Sequence, residues 1–276
     1  MSVVAAFAPL AEAALRVGGE RVSVRDLTPP GAEPHDLELT PDALDRVLDA
    51  DLAVVTGGGF QPAVEDAISQ RDGRTLAVLE IDGMTEVDRS EKDAERGSDL
   101  SNDPHVWLDP VRMEMIVDAV AAGLSEVDPK GSGAYRANAA RFDAELNRLD
   151  GELASGLSHC EGRTVLTSHD AFGWLALRYG LDTVGVVGIS PDAEPDPKRL
   201  ADLADLAEKD GVTTIFTETH VSPEIAETLA REAGGIRTAV LDPFEGSTEA
   251  DRAKGAGYVS VMRRNLEALR SGLGCR

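Results

Sequence analysis

Short β-branched runs alternate with amphipathic stretches along nearly the whole chain. VVAAF (3–7), RVSVRDL (21–27), LAVVTG (52–57) and TLAVLEI (75–81) read as strands in the first part. TVLTS (164–168), VGVVGI (184–189), TTIFTE (213–218) and IRTAVLD (236–242) read as strands in the last. Helical patterns fill the intervals, among them PDALDRVLDA, opened by Thr40 and Pro41, and SPEIAETLAREAGG, with Ser222 as cap, Pro223 in the first turn and Gly234 at the stop. This alternation predicts two α/β halves, each with a four-stranded parallel sheet flanked by helices.

Between the halves, residues 133–157 place Phe142, Leu146, Leu149, Leu153 and Leu157 at steps of four and three. That period marks a long amphipathic helix, and at about 1.5 Å per residue its reach is nearly 40 Å, enough for a stiff connector. The expected division is a first lobe at 1–129, a connecting helix at 130–157 and a second lobe at 158–276. Residues 85–103 form the one long polar stretch, read as a functional or mobile loop.

Composition narrows the function. The chain is 42% hydrophobic and 28% charged, an ordinary balance for burying a core. Its 27 Lys and Arg stand against 50 Asp and Glu, a net charge of -23 that repels phosphate backbones and anionic headgroups, so nucleic acid is excluded as a partner. No apolar run approaches the roughly 20 residues of a membrane span, and MSVVAAFAPL lacks the basic segment and apolar core of a signal peptide. Cys160 and Cys275 form no CxxC motif, which leaves either two free thiols or one long-range disulfide.

The chain has five histidines, and their places relative to the strands discriminate among them. Ligands of doubly wound sheets sit beyond the carboxyl ends of the strands. His35, His105, His169 and His220 each follow a predicted strand, as Asp242 does, whereas His159 precedes one. An isolated loop histidine more often serves as a surface or capping group, and Asp242 before Pro243 has an ordinary turn reading, so it is the shared strand-end position that selects the set. Asp103 or Asp109 reads as the cap of the helix that follows, with no role in metal binding. Zinc takes four ligands from imidazole, thiolate and carboxylate, and His35, His105, His169 and Asp242 supply such a set, two from each half. An ion held by all four is expected to lie in the cleft between the lobes. The rival chemistry is a zinc hydrolase with three histidines and Asp242 as base; no HExxH or GxSxG motif supports it, and Ser168-His169-Asp170 mimics a triad only in writing. TGGGF (56–60) lacks the remainder of a phosphate loop and reads as a turn.

Six segments, taken in order, carry a family resemblance: PPGAEPHDLELTP, DPHVWLDP, TSHDAFGWLALRYGL, GISPDAEPDPKRL, IFTETHVSPEIAETLAREAG and LDPFEG. Together they resemble the zinc- and manganese-specific solute-binding proteins of bacterial ABC importers, across essentially the whole chain. The resemblance implies two Rossmann-like lobes joined by one rigid helix, with the metal between them. It places metal ligands at His35, His105, His169 and Asp242. It also implies zinc rather than manganese, because zinc members resemble HDA at the third ligand where manganese members carry TSE, and imidazole suits zinc.

The function so implied is capture of Zn2+ and delivery to an ABC transporter permease by a non-enzymatic monomer, periplasmic or lipid-anchored at the outer face of the membrane, with a zinc metallochaperone as a further partner. The alternatives are a manganese- or iron-binding homologue, a zinc-dependent hydrolase and a surface adhesin. Two departures stand out: residues 85–103 contain no histidine, and ETH replaces the family's EPQ, which leaves His220 as a surface residue first, and otherwise an alternate ligand or a supporting group. Export favours a Cys160–Cys275 bridge that staples the last helix to the second lobe, closing a loop worth about 4–5 kcal/mol in the chain-entropy model. Ligation needs neutral imidazole, so capture is expected to weaken below about pH 6.5. The 85–103 loop is expected to order on binding.

Overall fold

Every apolar run singled out above contributes a strand. The structure, a computed structural model, describes residues 1–87, 100–191, 196–219, 224–246 and 257–276. Strands β1 (Ser2–Ala5), β2 (Ser23–Asp26), β3 (Leu52–Val55) and β4 (Arg74–Ala77) pair in the order β2-β1-β3-β4, all parallel. Strands β5 (Thr164–Thr167), β6 (Asp182–Gly185), β7 (Thr214–Thr217) and β8 (Arg237–Val240) repeat this as β6-β5-β7-β8. The fold is α/β with two four-stranded parallel sheets flanked by helices. Central β3 and β7 are buried at every position, as helices on both faces require.

The helices are α1 (Ala8–Gly18), α2 (Pro41–Asp49), α3 (Pro62–Ile68), α4 (Pro110–Val127), α5 (Ser132–Leu157), α6 (Gly173–Tyr179), α7 (Pro197–Lys209), α8 (Glu224–Glu232) and α9 (Tyr258–Leu273). Thr40 Oγ1 accepts the Ala43 N–H at 3.2 Å and Pro41 occupies the first position of α2, as its sequence predicts. In α5 the predicted stripe of Phe142, Leu146, Leu149, Leu153 and Leu157 is buried throughout. Ser222, Pro223 and His220 lie outside the described residues, as does most of the 85–103 loop.

Strand ends differ from the sequence reading where the chain turns early. The run 184–189 gives way to β6 at 182–185, where the Gly185 N–H donates to the Asp170 side chain at 2.7 Å. A Cβ on Gly185 would come within 2.4 Å of the Val187 carbonyl oxygen and 2.7 Å of the Asp170 nitrogen, so only glycine permits the turn. The run 75–81 likewise ends its strand at Ala77 and enters a 3-10 turn at Val78–Glu80.

The chain forms two compact units. The first comprises Met1–Glu86, Pro110–Arg148 and Phe244–Val259, and the second Val87–Asp109, Leu149–Pro243 and Ser260–Arg276. In the first, α1 packs on β1, β2 and β3, and α4 on β3 and β4. In the second, Leu166 of β5 and Ile215 of β7 join Leu203 and Ala207 of α7 and Ala226, Leu229 and Ala230 of α8 in one core. Cys160 and Cys275 form a disulfide there. Among the described residues no helix is long and apolar enough to cross a membrane.

One partly buried acid in the first unit affects stability. Asp143 on α5 is half-buried, and burial, reinforced by the charge of Asp118, pushes its carboxyl up to about 6. The native state therefore holds a proton that the unfolded chain releases near pH 4, and stability falls as pH rises from about 4 to about 6. Asp143→Asn removes this penalty. A gain below about 1 kcal/mol at pH 7, and a flatter melting-temperature profile between pH 4 and 6, are expected from thermal scans, the figure being discounted for solvent screening.

Candidate metal centre

In the first unit, His35 ends a turn that begins after β2. Gly31 adopts φ 80° in this turn, and the Ala32 N–H closes onto the Pro29 carbonyl at 3.0 Å. Glu33 Oε1 accepts the His35 backbone N–H at 3.2 Å. The imidazole packs edge-on against Phe60 with ring centroids 4.5 Å apart, and Phe60 rests on Phe7. Gly57, Gly58 and Gly59, all with positive φ, bring Phe60 to that place, so TGGGF is a turn as its sequence indicates. His35 Nε2 stands 3.5 Å from Glu245 Oε1.

Glu245 is 2% exposed, and the sequence reading did not single it out. It follows Phe244, whose φ of 57° puts an L residue in the left-handed region at a cost of roughly 1–2 kcal/mol. The Phe244 ring holds that turn against Tyr258 at 5.9 Å. A sequence does not display such a backbone angle, which is why Glu245 was not singled out. Asp242 is half-buried in the second unit, with its backbone clamped by Asn265: its N–H donates to Oδ1 at 2.9 Å and its carbonyl accepts Nδ2 at 2.7 Å.

The second unit brings His105 and His169 together, both 0% exposed. His105 opens the 3-10 turn Val106–Leu108 and tilts against Trp107, whose indole N–H reaches the Pro243 carbonyl at 2.8 Å. His169 follows β5, where Thr167 Oγ1 donates to its carbonyl at 2.7 Å. The two Nε2 atoms face each other at 3.4 Å. Behind them, His105 Nδ1 is 2.7 Å from Asp103 Oδ1, and His169 Nδ1 is 2.6 Å from Glu218 Oε2. Asp103 thus turns onto His105 instead of capping the next helix. Asp170 bonds to Gly185 and not to the imidazole, and Ser168 Oγ has no hydrogen-bond partner among the described residues, so Ser168-His169-Asp170 is not a triad. Burial raises the Asp170 carboxyl above its ordinary pKa, partly offset by the Gly185 N–H and the charge of Arg199. His159 is exposed.

Within each unit the ligand-atom spacing fits one edge of a tetrahedral site. Two ligand atoms at 2.0–2.1 Å from one zinc stand roughly 3.3–3.4 Å apart. The His105–His169 pair at 3.4 Å and the His35–Glu245 pair at 3.5 Å each match such an edge.

Known proteins similar to this chain include several that bind zinc. Residues 3–272 match the family described as zinc-uptake complex component A, periplasmic. The zinc-binding lipoprotein AdcA of Streptococcus pneumoniae is 35% identical over 277 residues, covering 98% of this chain and 55% of the relative. This chain thus spans about half the length of that relative. The high-affinity zinc uptake system protein ZnuA of Bacillus subtilis is 33% identical, with 99% and 88% covered. The crystal structure of the Zn(II)-bound ZnuA-like domain of S. pneumoniae AdcA superposes with a TM-score of 0.79 at 34% identity, covering 99% of this chain and 98% of that one.

Proposed function

Since this chain belongs to the periplasmic zinc-uptake component A family, we propose that it captures Zn2+ outside the cytoplasm and passes it to the permease of an ABC importer. The facing Nε2 atoms of His105 and His169 carry this reading, since two buried imidazoles at 3.4 Å match one edge of a tetrahedral zinc site. His35, His105, His169 and Glu245 each offer one ligand atom. In this reading Glu245 takes the carboxylate role that the sequence assigns to Asp242, and Asp242 belongs to the turn that leads to it. Residues 1–129 and 158–276 act as two lobes, each giving ligands, with 130–157 connecting them. The chain works as a monomeric carrier and not as a catalyst, in the periplasm or lipid-anchored at the outer face of the cell membrane, and a metallochaperone is a further source of its zinc.

Three imidazoles with one carboxylate favour zinc over the harder manganese. Competition titration of Zn2+ against Mn2+ tests the reading. The wild type should prefer zinc, and His169→Glu should narrow that preference at least tenfold. A wild type that prefers manganese would overturn zinc as the cargo.

A further inference from the structure

We infer that Asp103 and Glu218 are positioning residues that set the zinc affinity of the His105–His169 pair by fixing which ring nitrogen carries the proton. This rests on the zinc reading above. A neutral imidazole has one N–H and one lone pair, and an ionised carboxylate can only accept. Asp103 Oδ1 is hydrogen-bonded to His105 Nδ1 at 2.7 Å, and Glu218 Oε2 lies 2.6 Å from His169 Nδ1 at ion-pair distance without hydrogen-bond alignment, so each acid favours the tautomer with the proton on Nδ1. Both lone pairs then lie on Nε2, the two atoms that face each other at 3.4 Å. Two acceptors at that separation repel, and a cation turns the repulsion into ligation. The opposite tautomer on either ring would direct an N–H where a ligand is needed.

Each carboxylate also grips the backbone of its own histidine. Asp103 Oδ1 accepts the His105 N–H at 2.9 Å, and Glu218 Oε1 accepts the His169 N–H at 3.0 Å. One acid thus fixes both the ring and the main chain that carries it. Neither acid is free to swing away: they are 4% and 5% exposed. The Asp103 carbonyl accepts the Trp174 indole N–H at 2.9 Å, and Gly173 lies so near that a Cβ there would be 2.6 Å from Asp103 Oδ2. The device appears twice from unrelated sequence positions, since Asp103 precedes its histidine by two residues and Glu218 lies 49 beyond its own. Carboxylates behind imidazoles both orient the ring and increase its basicity as a ligand.

Two measurements test the inference. Long-range proton–nitrogen NMR on the metal-free wild-type chain should find the Nδ1–H tautomer on both rings. Zinc competition titrations of Asp103→Asn and Glu218→Gln should show affinity lowered about 10–100-fold in each. A packing role alone would lower the melting temperature of the metal-free variants and leave the affinity of their folded fraction unchanged. An Nε2–H tautomer on either wild-type ring, or zinc affinity within threefold of wild type in both variants, would overturn the inference. If wild type binds zinc while the variants are unaffected, the inference alone fails; if wild type binds no zinc in the same titration, the transport reading fails with it. Should a variant not fold, the wild-type tautomer decides.

Discussion

Replacing His169 with alanine should lower zinc affinity by roughly two to three orders of magnitude. Structural zinc sites with four protein ligands bind with about 10–16 kcal/mol, so one ligand carries on the order of 2.5–4 kcal/mol, at about 1.4 kcal/mol per tenfold. The loss should be near the top of that range because His169 is 0% exposed, so its ring is held in place with little entropy left to lose on binding. His105→Ala and His35→Ala should follow the same pattern. The acids separate two readings of the fourth ligand: Glu245→Gln should cost at least tenfold, whereas Asp242→Asn, changing a side chain whose backbone Asn265 already fixes, should cost less than threefold. Isothermal titration against a competing chelator measures each value. The reverse order for the two acids would return the ligand role to Asp242.

Removing the disulfide should produce the largest change in stability. Cys160 and Cys275 are separated by 115 positions, and a loop of that size is worth about 4–5 kcal/mol in the chain-entropy model, with about 2–5 kcal/mol typical when a native bridge is lost. The bridge ties the segment before β5 to the end of α9, where the Glu161 and Gly162 N–H groups already bond to the Leu273 carbonyl at 3.1 and 3.0 Å. Cys160→Ser with Cys275→Ser should lower the melting temperature by roughly 10 °C, since a domain of this size shifts about 2–4 °C per kcal/mol. Reductant should lower wild type similarly and leave the double variant unchanged. A shift under about 2 °C would show that the native contacts alone fix that end of the chain. Zinc affinity should change little, because the bridge lies at the amino end of β5 and His169 at its carboxyl end.

The eight strands and the long helix α5 were legible because buried parallel strands are continuous apolar runs and α5 repeats its apolar residues at helical spacing. The strand-end rule selected His35, His105, His169, His220 and Asp242, and of these the structure sets His105 and His169 3.4 Å apart. What escaped the sequence depends on backbone angles and distant partners. Glu245 is aimed by the left-handed turn at Phe244, and Glu218 meets His169 across 49 positions, so neither is marked by local spacing. Asp103 was visible but read as a helix cap, since a short acid ahead of a helical turn fits both roles; the buried imidazole two residues on competes for it. At the end of β6 the Gly185 N–H likewise has a partner outside its own strand, Asp170.

The most direct test of the central claim is zinc K-edge absorption on the chain loaded with one equivalent of Zn2+. The account predicts a four-coordinate ion with imidazole nitrogens at about 2.0–2.1 Å, a carboxylate oxygen at about 2.0–2.2 Å and no sulfur. Imidazole scattering should fit three rings in wild type and two in His169→Ala. A six-coordinate oxygen shell without imidazole, or a wild-type spectrum unchanged by His169→Ala, would contradict it.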